Sequence, residues 1–217
     1  MKLRFCAMAV PSVLLGICNV SHAEPAASFT GGPTTVGHAG NSATTLGWVF
    51  SSNTTVTVTA LGYYDDGSNG LAEVHDVGIF SSTGSLLFST TIPAGNSGAL
   101  IAGFRYVSIA PVVLSIGNYT IAGTIGAQAS DPVAYNVAGL SSAAQITIPS
   151  GASRYTESGS YTSLTYPTLA FPSSNPYNVY FGPNFQVSPV PEPSTVVFMG
   201  VGALGLLAAQ RRRVTVA

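Results

Sequence analysis

Polar and apolar residues alternate along much of this chain with a period of two. Thr55 to Tyr64 is the clearest case, with Val56, Val58 and Ala60 on one face and Thr55, Thr57 and Thr59 on the other. Period two with β-branched residues predicts a half-buried strand. Thr44 to Ser51, which carries the single Trp, predicts a strand before it. Asp65 to Gly70 (DDGSNG) is rich in residues that favour turns for backbone reasons. Val74 to Ser82 and Ser85 to Ile92 then predict two strands around Thr83-Gly84, a hairpin. Further strands are expected at Phe104 to Ile109, from Pro111, at Gly117 to Ile125, more weakly at Gln145 to Ile148, and within Asn178 to Val187. Tyr155 to Tyr177 reads mostly as loop. Before Pro193 no stretch shows a helical period of 3.6.

Many short strands with turns every ~8–12 residues predict an all-β chain with one β-sandwich or jelly-roll domain. No exact internal repeat is present, which argues against a propeller or solenoid. The expected layout is a signal peptide over 1–23, a flexible lead-in over 24–43, the sandwich over 44–187, and a C-terminal segment over 188–217.

The two ends differ sharply from the body. Lys2 and Arg4 precede a mostly apolar stretch from Phe5 to Val20, and Ser21-His22-Ala23 follows as a small-x-small cleavage site. Cys18 raises a lipoprotein alternative, but the large Ile17 before it argues against lipidation. Both cysteines, Cys6 and Cys18, fall in this segment, so cleavage leaves no disulfide and no thiolate metal site. At the other end stand Pro191-Glu192-Pro193, an apolar run, and Arg211-Arg212-Arg213. With its polar ends that run is about 17 residues and roughly 25 Å as a helix, at the short end of what spans a bilayer. A transmembrane helix over about 194–210 and a basic tail at 211–213 follow. The arginines favour the cytoplasmic side, which places the body outside.

This order of parts closely resembles the PEP-CTERM sorting signal of exported bacterial proteins. The resemblance implies an exosortase-type transpeptidase as partner, cutting near the PEP motif, and passage through the inner membrane. Cell surface or extracellular matrix is then the expected destination. Such systems tend to accompany exopolysaccharide production, so exopolysaccharide is a further expected partner. The body is similar to uncharacterised DUF4082-like modules. That likeness is carried by Val58-Thr59-Ala60-Leu61-Gly62, the Asp65 to Leu71 turn, Val74-His75-Asp76-Val77-Gly78-Ile79 and Phe104-Arg105-Tyr106-Val107. It supports the sandwich and implies no reaction.

Composition narrows the function classes. The chain is 46% hydrophobic and only 7% charged. Of its seven basic residues only Arg105 and Arg154 lie in the body, against the acids Glu24, Asp65, Asp66, Glu73, Asp76, Asp131 and Glu157. A net-negative body cannot neutralise phosphate, so nucleic acid is excluded as a partner. Hard oxygen donors cluster at Asp65, Asp66, Asn69, Glu73 and Asp76, and calcium is the cofactor such a turn could take. The spacing partly echoes an EF-hand, with Gly67 in place of a ligand, no closing Glu and strands instead of helices at its flanks. The alternative is a soluble acidic hairpin turn. In an extended segment Glu73 and His75 share a face that Val77 and Ile79 continue inward, which puts His75 at the rim of the core, bonded to a carboxylate. Arg105 either pairs with one of those acids or contacts a sugar or anion. Tyr161, Tyr166 and Tyr177, with Phe171, Tyr180 and Phe181, are candidates for stacking on sugar rings or for capping the sandwich.

No zinc-protease, P-loop, dinucleotide or nucleophile-elbow pattern occurs. The expected role is an exported, non-enzymatic surface or matrix protein with a structural or weakly glycan-binding sandwich and no catalytic residues. The alternatives are a secreted glycan-active hydrolase or a calcium-dependent lectin-like binder. A hydrolase needs two carboxylates facing across a cleft at about 5–10 Å, and Asp131 and Glu157 cannot be placed from sequence.

Overall fold

Alternation turns into strand along nearly the whole body. The computed structural model describes residues 22–32, 34–36, 44–126, 130–156, 163–170 and 179–189. The strands, in chain order, begin with β1 (Glu24–Pro25), β2 (Ala27–Ser28), β3 (Thr34–Val36), β4 (Thr44–Ser52) and β5 (Val56–Tyr64). Next come β6 (His75–Ser81), β7 (Leu86–Ile92), β8 (Ala99–Ile101), β9 (Phe104–Leu114) and β10 (Gly117–Ile125). The last are β11 (Pro132–Ala134), β12 (Ser141–Ser142), β13 (Ile146–Thr147), β14 (Ser153–Tyr155), β15 (Leu169–Ala170) and β16 (Pro183–Pro189).

Two antiparallel sheets carry the fold. One has five strands in the order β1-β16-β5-β9-β8, and the other runs β15-β14-β4-β10-β6-β7 with β13 also on β4. Aromatic side chains close the space between them. Trp48 of β4 is fully buried, stacks on Phe185 of β16 with ring centroids 5.8 Å apart, and donates its Nε1–H to the Pro183 carbonyl at 2.9 Å. Phe50, also on β4, meets Phe185 at 4.6 Å. Since β4 and β16 belong to different sheets, these contacts define a sandwich core. Val56, Val58 and Ala60 are buried on β5 as the alternation predicts, and Val77 and Ile79 are buried on β6. No helix of the described residues is long and apolar enough to cross a membrane. Residues 1–21 of the signal peptide expected over 1–23, the apolar run before the arginines, Pro191-Glu192-Pro193 and Arg211-Arg212-Arg213 lie outside the described residues.

Three expectations are corrected. The lead-in expected to be flexible over 24–43 carries strands in its described part: β1 pairs with β16, β2 with β12 and β3 with β11. Ala26 and Ala27 are fully buried because small side chains fit where the segment crosses the core edge, and strands of two or three residues are too short to show a period. The expected break at Pro111 is absent, and β9 runs through it. Val58 pairs with Val112 and Ala60 with Ser108, so Ile109, Ala110 and Pro111 bulge opposite Thr59 alone. A bulge is where a strand tolerates a residue that lacks an N–H. Finally, Asp65 to Val74 is no hairpin turn. It carries the chain from β5 in one sheet to β6 in the other.

Candidate functional site

The crossing lies at the end of the sandwich where β5 and β10 finish and β6 and β9 begin. Two buried charge clusters form there. They contain every buried charged side chain among the described residues: Asp65, His75, Arg105 and Asp131.

The first cluster closes the crossing itself. Arg105, at the start of β9, donates Nε–H to Asp65 Oδ2 at 2.7 Å. Its Nη2 donates to Asn96 Oδ1 at 2.8 Å and to the Ser68 carbonyl at 3.3 Å, while Nη1 reaches the Gly98 carbonyl at 3.3 Å. A planar guanidinium with several donors suits this web as no lysine would. Both Asp65 carboxylate oxygens also accept the Gly70 amide at 3.1 Å. Gly70 takes φ = +101°, and a Cβ there would stand 2.8 Å from Asn96 Oδ1, so conformation and space both demand glycine. The Leu71 and Gly95 backbones then bond reciprocally, at 3.1 and 2.7 Å.

The second cluster joins β6, β10 and the start of β11. His75 is fully buried and lies flat against Tyr63 of β5, with ring centroids 3.6 Å apart and planes at 4°. Its Nδ1 faces the Thr124 carbonyl at 2.7 Å and its Nε2 faces Asp131 Oδ2 at 2.9 Å. A carbonyl only accepts, so Nδ1 carries a hydrogen. Asp131 also accepts the Ala72 amide at 2.8 Å and the Glu73 amide at 2.9 Å. Burial pushes its carboxyl up. The His75 hydrogen bond, the two amides and the His75 charge outweigh that and hold it below the ordinary value. Glu73 is half-buried, and its Oε1 accepts the Gly126 amide at 3.1 Å. One donor atom from each of Glu73, His75 and Asp131 lies within 4.8 Å of the others. The Tyr63 hydroxyl is buried without a hydrogen-bond partner, and burial first, then the charges of Asp131 and Glu73, raise its pKa.

The oxygen donors singled out in the sequence have separate partners here. Asp65 is held by Arg105, and Asp66 is exposed and accepts the Tyr64 hydroxyl at 3.3 Å. Asn69 is exposed, and Asp76 accepts the Thr91 hydroxyl at 2.7 Å. Of the set, Glu73 alone joins a cluster of three metal-capable side chains. Arg105 is committed to Asp65 and to the carbonyls around it. Tyr166 is half-buried against Phe80, with centroids 5.5 Å apart. Tyr161 and Tyr177 lie outside the described residues. Sequence reasoning placed His75 at the rim against a carboxylate but could not name Asp131, which is 56 positions away in a stretch with no local signal.

Residues 189–213 match the PEP-CTERM protein-sorting motif. That motif marks the chain as exported and sorted at the membrane, with processing by an exosortase. No curated protein and no solved structure matches the chain. Residues 30–179, more than half of the chain and strands β3 to β15, match the domain of unknown function DUF4082, and the chain belongs to that family.

Proposed function

We propose that the sandwich is a non-enzymatic structural module of the cell surface or biofilm matrix, with exopolysaccharide as its partner. The observation that carries this reading is the commitment of the buried charged groups. Asp65, Arg105, His75 and Asp131 bond to one another and to backbone amides and carbonyls, an arrangement that fixes loops to sheets. The hydrolase alternative has a near pair of carboxylates in Glu73 and Asp131. Asp131 is 6% exposed, its oxygens are already bonded, and it is held ionised, the opposite of what a general acid requires. Weak glycan contact has a candidate surface in Tyr135 and Tyr180, half-buried rings stacked at 5.9 Å.

The test uses processed protein purified from the producing cells and the polysaccharide those cells make. The expected result is weak saturable binding by calorimetry, reduced several-fold in Tyr135→Ala, with no new reducing ends after prolonged incubation. Release of reducing ends would establish the hydrolase alternative. Absence of binding would leave a purely structural module.

Sorting has its own test. Replacing Pro191-Glu192-Pro193 with alanines should leave an unprocessed precursor in the membrane fraction, heavier by intact mass than the wild-type product. A variant with wild-type mass and fractionation would remove the motif from the processing step.

A further inference from the structure

We propose that Glu73, His75 and Asp131 form a binding site for one divalent transition-metal ion of the zinc class. Orientation is the first argument. The Nδ1–H of His75 is fixed on the Thr124 carbonyl at 2.7 Å, so a neutral ring presents its lone pair from Nε2. That is the outer-shell arrangement by which proteins aim a ligating imidazole. Nε2 is aimed at Asp131 Oδ2, 2.9 Å away. A lone pair facing an ionised carboxylate at that distance requires a positive centre between them, either a proton or a metal ion.

A proton fills that place in the metal-free protein, and a metal ion would displace it. A proton on Nε2 makes a cation that balances Asp131 and leaves Glu73 unbalanced. The other basic side chains of the sandwich are committed elsewhere, Arg105 to Asp65 and Arg154 to the Gly151 and Ser153 carbonyls. A divalent ion with a neutral imidazole and two carboxylates gives zero net charge in a site of low exposure. The buried Tyr63 hydroxyl, on the ring stacked against His75, still lacks a hydrogen-bond partner, which marks this corner of the core as incompletely satisfied.

Size and ligand type agree. Donor atoms bound to zinc at about 2.0–2.1 Å in a tetrahedron stand about 3.3 Å apart. The three donors lie within 4.8 Å of one another, so small side-chain adjustments bring them into range. One imidazole with two carboxylates suits zinc or a neighbouring transition ion better than calcium, which takes six to eight oxygens. Glu73, half-buried while His75 is not exposed, is the side by which an ion would enter. The site is independent of whether the module contacts glycan.

The experiment uses processed protein without an affinity histidine tag, stripped with chelator and titrated with zinc chloride and, separately, calcium chloride. One zinc per chain is expected, with a dissociation constant near or below about 1 μM. Glu73→Gln should weaken it by about tenfold or more, with unchanged Trp48 fluorescence showing an intact fold. X-ray absorption of the zinc-loaded wild type should show one imidazole nitrogen and oxygen neighbours, a readout that needs no variant. No zinc binding, zinc affinity unchanged in Glu73→Gln, or a preference for calcium would overturn the proposal.

Discussion

Arg105→Met lowers the free energy of unfolding by about 3–5 kcal/mol, the usual consequence of leaving one partner of a buried ion pair behind. Asp65 is 2% exposed and keeps only the Gly70 amide once the guanidinium is gone. The carbonyls of Ser68 and Gly98 and the Asn96 side chain lose their donors in the same step. Met retains most of the buried stem, so the loss reports the charge and its hydrogen bonds more than a cavity. Adding Asp65→Asn to this variant removes the stranded charge while keeping an acceptor for Gly70, and should restore about 1–2 kcal/mol. Urea unfolding followed by the fluorescence of Trp48, the one tryptophan and fully buried, measures all three proteins. A single variant within about 1 kcal/mol of wild type would mean that water screens the pair as it screens a surface bridge.

The same cluster explains why the crossing was hard to read from sequence. Asp, Gly, Ser and Asn between two alternating runs give the same local signal whether the chain turns back beside its own strand or crosses to the opposite sheet. What separates the two outcomes is the partner of Asp65, and Arg105 is 40 positions away. The long strands were legible because their faces differ. β10 matches the expected Gly117 to Ile125, and β5 and β6 begin within one residue of their expected starts. The short edge strands β1, β2, β11 and β12 carry no period and exist only through pairing with one another and with β3 and β16. His75 was legible as a rim histidine because Val77 and Ile79 fix which face of β6 turns inward. Its partner was not, since Asp131 lies 56 positions along the chain and meets His75 only in the folded protein.

The second large effect is expected at Asp131, and it is pH-dependent. In chelator, Asp131→Ala leaves the Ala72 amide, the Glu73 amide and His75 Nε2 without their acceptor. His75 is fully buried and packed flat on Tyr63, so it cannot turn outward to water without giving up that stack. The expected loss at neutral pH is about 3–5 kcal/mol. The folded protein holds the Asp131 carboxyl below its ordinary value, so folding favours the ionised form. A group depressed in this way contributes its full stabilisation above its unfolded value of about 3.9, and loses it as pH falls through the lower folded value. The part of the gap between wild type and Asp131→Ala that the carboxylate charge supplies should therefore begin to close near about pH 4 and shrink further with added acid. Asp131→Asn keeps one acceptor for the amides but no charge for His75, and should fall between the two at neutral pH. Unfolding curves at several pH values separate the readings. A gap that stays constant into the acid range would mean that the carboxylate charge contributes nothing, and that the loss comes from packing and neutral hydrogen bonds alone.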